Sequence, residues 1–391
     1  VNGSRQKIKH HNEHIIIDKN ELKIGQNKIK IKYNAGDDAL NRSANFLYTL
    51  FVPDRMRTSF PSFDQPNLKA TFELTLRVPE SWETMSSTTI ARETQRNRKK
   101  IVRFKKSDKM STYLFSFVAG RFIKIKAVLV VLEMTMLHRE PDTEKVNRNL
   151  KEIFSLHKDS INYMENYTGI KFPFQKFGFV LIPDFQFGGM EHIGAIQYRA
   201  ASLMLDENPS TTDLLSRASL IGHETSHMWF GDLVTMDWFD DVWTKEVFAN
   251  FFAAKMIYPN FPGIDHQLRS HLRLHPGAYA VDRSEGSNPI RQQLPNLNEA
   301  GNLYGAIIYN KAPIMMQQLE KLLGEDLFRE GVREYLSTYA FSNATWPDLI
   351  SILDKRSEKD LNAWSDVWVN TAGIPTFNIK KYPDKGLILS Q

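Results

Sequence analysis

The chain has 391 residues, enough at roughly 150 residues per domain for two to three domains that each bury a core. Hydrophobic residues make up 42% and charged residues 24%, which excludes a disordered chain, and the absence of cysteine excludes disulfides and thiolate metal sites. The 50 Lys and Arg against 45 Asp and Glu give +5, spread along the chain without an aromatic-basic module, so no nucleic-acid partner is expected and any metal must be held by histidine and carboxylate.

Residues 1–11 are polar and basic and lack the apolar core of a signal peptide, and no run reaches the roughly 18 apolar residues of a membrane span. The longest candidate, residues 127–137, carries Glu133 and reads as a core strand. The chain is therefore expected to be soluble without a membrane span, its compartment and oligomeric state left open. From residue 1 to about 140 the pattern favours strands. Ile29, Ile31 and Tyr33 alternate with lysines, and Phe72, Leu74, Leu76 and Val78 alternate with Thr71, Glu73, Thr75 and Arg77. Period two over several short runs predicts an antiparallel β domain with one wet face.

After Pro141 the spacing becomes helical, with Leu150, Ile153, Phe154, Ile161 and Met164 three to four apart or a multiple of it around a helix over 146–163, so a domain boundary is placed near Pro141. Residues 177–182 read as a strand ending at Pro183 before a glycine-rich loop, Phe187-Gly188-Gly189. Ser210 to Asp213 then offer cap residues to a helix of about 17 residues that Gly231 stops. Further helices are predicted over 246–258, over 313–323 ending on Gly324, and over 361–371. From Gly373 strand patterns return at 376–379 and 386–389, and a domain beginning there is cut short at Gln391.

The helix after Ser210 carries His223-Glu224-Thr225-Ser226-His227. Imidazoles at i and i+4 project from one face about a turn apart, which suits two ligands of one zinc ion, with Glu224 placed to take a proton from water at the metal. Taken alone, five such residues fit a pair of surface or core histidines equally well. Nineteen positions after His227, Glu246 leads an otherwise apolar helical run. A carboxylate there is costly to bury unless paired or bound to metal, although acids also favour first turns. With the two histidines upstream it is read as a third ligand. Three protein ligands leave a fourth position for water, the arrangement of a catalytic zinc and of a hydrolase.

Residues 223–246 resemble, in spacing and in their Trp-Phe-Gly, Leu-Val-Thr-Met and Trp flanks, the extended zinc signature of the aminopeptidase N family, the gluzincin metallopeptidases that include leukotriene hydrolase. Phe60 to Ala70 resembles that family's N-terminal domain motif, residues 110–114 a later strand of that domain, and Gly373-Ile374-Pro375 the start of its third, β-sandwich domain. The resemblance implies a multidomain α+β fold: an N-terminal antiparallel β domain over 1–140, a thermolysin-like, mostly helical zinc peptidase domain over 141–372, and the beginning of a third β domain over 373–391. It implies one Zn2+ per chain on His223, His227 and Glu246, with Glu224 as general base.

Gly188-Gly189-Met190-Glu191-His192 is similar to the family's exopeptidase motif, in which a carboxylate holds the substrate's free α-amine by charge-assisted hydrogen bonds. Gly188, Gly189, Met190 and Glu191 are thus expected to bind substrate, the glycines letting a peptide backbone approach closely. His192 departs from the family's Asn. Residues 48–51, where the family usually offers Gln or Glu to the same amine, are Tyr48-Thr49-Leu50-Phe51. Tyr309 resembles the tyrosine that the family aims at the oxyanion, and Pro313 in a first helical turn puts it on the loop just ahead. The implied function is a zinc-dependent aminopeptidase acting on peptides with a free N-terminus. Two alternatives stand beside it. One is a leukotriene-hydrolase-like epoxide hydrolase, for which Tyr304 matches but Gly301 replaces an acid. The other is an inactive peptide-binding relative, which normally loses a ligand or the base.

Overall fold

Part of the alternation read along the N-terminal third is realised in antiparallel sheets, the strand expected around 72–78 running Thr75–Pro79. The structure, a computed structural model, describes residues 1–129, 132–375, 377–382 and 386–390. Lys99–Phe104 alternates exposed and buried side chains and lies between Thr75–Pro79 and Ile90–Arg96. A four-stranded sheet runs Leu40–Arg42, Phe46–Thr49, Phe117–Gly120, Glu83–Ser86. Phe51, Phe60, Phe72, Phe115 and Phe117 pack ring against ring beside it, the closest pair, Phe72 and Phe115, 4.3 Å between centroids.

Three expectations fail in this region. Residues 28–33 form no strand: their apolar side leans on Phe60, whose ring lies 6.4 Å from that of Tyr33, with no neighbouring strand to complete a ladder. Residues 110–114 are not a strand either. Met110 makes a single bridge to Ala70, and a 3-10 turn, Thr112–Leu114, follows. Side chains hold it: Thr112 Oγ1 donates to Asp64 Oδ1 at 2.9 Å and Ser111 Oγ to the Pro66 carbonyl at 2.5 Å. The apolar run 127–137 is divided between two paired strands, Ile123–Leu129 and Leu132–His138, Val130 and Val131 lying outside the described residues.

Those two strands begin a five-stranded mixed sheet that continues through Phe177–Ile182, Ile196–Arg199 and the short edge strand Gly189–Met190. The sheet crosses the boundary placed near Pro141, because 132–138 pairs in parallel with 177–182. The connection is a helix, Thr143–Thr168, capped by Asp142 and stopped at Gly169, whose φ of 71° suits glycine. Its His157 stacks on Phe179 of the sheet at 4.3 Å.

Below the sheet, Thr211–Ser226 packs on Val242–Ile257. Gly222 permits the approach, since a Cβ there would stand 3.2 Å from the Ala253 Cα. The second helix starts a turn before residue 246, so Glu246 sits in its second turn and does not lead it. The helix expected over 361–371 ends at Trp368. Among the described residues four α-helices escape the sequence reading: the single turn Ala200–Leu203, His266–Asp282, disguised by an internal Pro276, Glu325–Thr338 and Trp346–Asp354. Asn378–Tyr382 and Gly386–Ser390 form an antiparallel pair, Thr376 lying outside the described residues. Among the described residues no helix is long and apolar enough to cross a membrane.

Candidate metal and active site

Ser210 caps the 211–226 helix through a reciprocal pair of hydrogen bonds with Asp213, which fixes where the helix starts and hence the face that bears His223 and His227. The helix ends at Ser226, and Gly231, at φ 124°, turns the chain back through a short strand, Val234–Met236, towards the 242–257 helix.

Three atoms converge where these helices face each other. His223 Nε2 lies 3.1 Å from His227 Nε2 and 3.4 Å from Glu246 Oε2, and His227 Nε2 lies 3.9 Å from the same oxygen. Each ring is oriented from behind: His223 Nδ1 faces Asn250 Oδ1 at 3.1 Å and His227 Nδ1 the Phe230 carbonyl at 3.0 Å. Both partners accept, so the Nδ1 atoms carry the protons and the Nε2 lone pairs point at one another and at a carboxylate. Three acceptors this close repel unless a cation stands between them, and their separations suit ligands about 2.0–2.2 Å from a zinc ion. Burial pulls His227 down to about 4, so it is the neutral base a metal requires. Burial would raise the Glu246 carboxyl, but Lys245 and the two histidines hold it well below the usual carboxylate range.

Glu224 is 3% exposed, and its Oε2 has no hydrogen-bond partner among the described residues. Burial pushes its carboxyl up to about 8. Gly189 on the edge strand lies directly against it. An added Cβ would stand 2.5 Å from Glu224 Cδ and 2.7 Å from Cγ. Close approach by Glu224 is thus a reason for glycine here that stands beside the expected approach of a substrate. At Gly188 a Cβ would meet only Leu220, at 3.4 Å.

Met190 is buried and Glu191 follows it into the interior, its Oε1 4.0 Å from His227 Nδ1. Burial favours the neutral acid there, but His227 and Lys245 outweigh it and hold the Glu191 carboxyl at about 2. His192 is fully buried, and its burial lowers it to about 4. Tyr309 does not lie on a loop. It belongs to a π-helical turn, Ile307–Lys311, that runs straight into Ala312–Leu323. The turn is pinned by Lys311, whose buried Nζ lies 2.7 Å from Asp282 Oδ1 and 3.1 Å from the Gly373 carbonyl. The Tyr309 side is 37% exposed, its ring 6.5 Å from that of Tyr304, and burial followed by the Glu246 charge raises its hydroxyl.

Sequence reasoning missed Lys245, whose buried Nζ bridges Glu191 Oε1 at 2.6 Å and Glu246 Oε1 at 2.7 Å. A lysine inside an apolar helical run was its one visible signal. Missed too was Asp232, fully buried with neither oxygen partnered among the described residues, which burial pushes well above the usual carboxylate range. Asn250, four residues after Glu246 on the same helix face, could have been found from that spacing.

Known proteins resemble this chain over most of its length. The sequence matches the peptidase family M1 domain over residues 153–368 and the peptidase M1 N-terminal domain over residues 37–114. The chain belongs to peptidase family M1. It is 34% identical over 329 residues to a probable aminopeptidase 2 of Sulfurisphaera tokodaii, covering 84% of this chain and 41% of that protein. It is 32% identical over 336 residues to the alanine/arginine aminopeptidase of Saccharomyces cerevisiae, covering 84% and 38%. With the puromycin-sensitive aminopeptidase of Caenorhabditis elegans it shares 33% identity over 343 residues, covering 86% and 35%. The chain spans about two-fifths of the length of the curated relatives it matches.

Proposed function

We propose that this chain carries the catalytic centre of a zinc-dependent aminopeptidase, which removes the first residue of peptides that have a free N-terminus. The reading rests on one juxtaposition: the three ligand atoms of His223, His227 and Glu246 lie together, with the Glu191 carboxylate 4.0 Å from the His227 ring. A zinc ion on His223, His227 and Glu246 would supply Lewis acidity for the scissile carbonyl and lower the pKa of water. Glu224 accepts the proton of the attacking water on its free carboxylate oxygen and returns it to the leaving amine. Tyr309 donates its O–H to the oxyanion of the tetrahedral intermediate, and its position in a pinned π turn spares it reorganisation in that step. Glu191 accepts hydrogen bonds from the substrate amine and so sets which peptide bond reaches Glu224, while Gly188, Gly189 and Met190 form the wall along which the first residue lies.

This reading also assigns a thermolysin-like character to the helical part and the start of a β-sandwich to residues 373–391. The N-terminal boundary then falls before the 123–129 strand, because that strand belongs to the sheet bearing Glu191. Aminoacyl 4-nitroanilides, free and N-acetylated, test the activity before chelation, after it, and after zinc is restored. Turnover of the free substrates alone, lost and recovered with zinc, supports the proposal; turnover of both classes, or of neither, refutes it.

A further inference from the structure

Beside the ligands lies an ammonium that the mechanism above does not use. Lys245 is 3% exposed, with Nζ 2.6 Å from Glu191 Oε1 and 2.7 Å from Glu246 Oε1, and with the rings of Tyr113 and Tyr304 5.7 and 5.9 Å away. A lysine enclosed by two carboxylates and two aromatic faces cannot reach its head into water, so its charge is a fixed part of the cavity. It engages the Glu191 oxygen that also lies 4.0 Å from His227. A substrate α-amine arriving at Glu191 therefore shares that carboxylate with a cation already in place. Residues 48–51 bring no acid or amide side chain that could add to the attraction.

We propose that Lys245 is a specificity-determining residue: by half-neutralising Glu191 it weakens the demand for a charged N-terminal amine, so that ligands whose amine is uncharged or missing are also accepted. The inference rests on the aminopeptidase reading and deepens it. Unlike Glu191, Lys245 acts through its neighbour's charge and touches neither the substrate nor the reacting atoms.

The test is calorimetric binding of two hydroxamates to the zinc-loaded full chain at neutral pH, L-leucine hydroxamate and its des-amino counterpart, 4-methylpentanoyl hydroxamate. In the unmodified protein a single charge-assisted hydrogen bond separates them, so the amino ligand binds about 10- to 100-fold more tightly. Lys245→Met removes the competing charge at similar length. Two cations on one carboxylate, about 5 Å apart, repel enough at protein permittivity that the preference for the amino ligand widens at least about tenfold. Lys245→Arg keeps the charge and leaves the preference as it was. An unchanged or narrowed preference in Lys245→Met overturns the proposal. So does a preference above about a thousandfold in the unmodified protein, a measurement that decides the matter even if the methionine variant does not fold. Binding of the des-amino hydroxamate reports the metal alone. If neither hydroxamate binds, the aminopeptidase reading fails; if both bind with the wrong ratio, only the role of Lys245 does.

Discussion

Gly189→Ala tests whether the position of Glu224 governs turnover. Gly189 lies in an extended edge strand, so alanine brings no backbone strain and acts only through its methyl group. That methyl would stand 2.5 Å from Glu224 Cδ and 2.7 Å from Cγ. Ordinary carbon contacts are about 3.5–4.0 Å, so the carboxyl must retreat by on the order of 1 Å. Glu224 is buried and has little room to retreat without leaving its rotamer. Displacement of a reacting group by that distance costs about a hundredfold, or about 2.7 kcal/mol of transition-state stabilisation. Steady-state hydrolysis of a free aminoacyl 4-nitroanilide should therefore show kcat down about a hundredfold with KM little changed. Bound zinc should stay at one per chain, because none of the three ligands is touched. Gly188→Ala, whose methyl meets only Leu220 at 3.4 Å, leaves Glu224 in place and should keep kcat, its effect as part of the substrate wall falling on KM. A Gly189→Ala protein that keeps both zinc and full kcat would refute the assignment of Glu224 as the base.

Glu224→Gln should lower kcat by about 10²- to 10⁴-fold while metal analysis still finds zinc, since the amide is nearly isosteric but takes no proton. Removal of zinc by a chelator should lower the melting temperature as well as activity, because it restores three mutually repelling acceptors; an unaltered melt would contradict the ligand set. His157 gives a pH dependence of stability. It is fully buried, its Nδ1–H donates to the Ile153 carbonyl and its Nε2 accepts from Tyr198, and burial lowers it to about 4. Its folded pKa lies below the unfolded value, so its contribution is complete above about pH 6.5 and is lost towards pH 4, about 3 kcal/mol in all. Thermal melts across that window should show the loss, and His157→Gln should flatten it. Lys311→Met leaves Asp282 buried and unpaired and should cost about 3–5 kcal/mol in denaturant unfolding, whereas replacing both residues by apolar ones should cost much less.

The pairing of His223 with His227 was legible because a helix alone fixes it: four residues make one turn, and the Ser210 cap sets where the turns begin. The strand over 177–182 and the stop at Gly324 were legible for the same local reason. Lys245 was not, because its neighbour Glu191 is 54 residues away and meets it only when the edge strand is laid beside the 242–257 helix. The π turn at Tyr309 depends on Asp282, at the end of a helix whose internal Pro276 argues against it in sequence. Residues 28–33 show the converse failure, in which clean alternation exists without any strand to pair with. Period two reports a two-faced segment; a ladder needs a second backbone as well.

The sheet that crosses residue 141 decides how this protein can be divided. A fragment begun at 141 would keep His223, His227 and Glu246 yet lose the strands 123–129 and 132–138, stripping the 177–182 strand of one of its two parallel neighbours. That strand is buried on both faces, so its bare backbone edge and the apolar faces beside it would recruit other chains, and such a fragment is expected to be found in inclusion bodies. A cut before residue 123 leaves the sheet whole and is the division to use for recombinant expression.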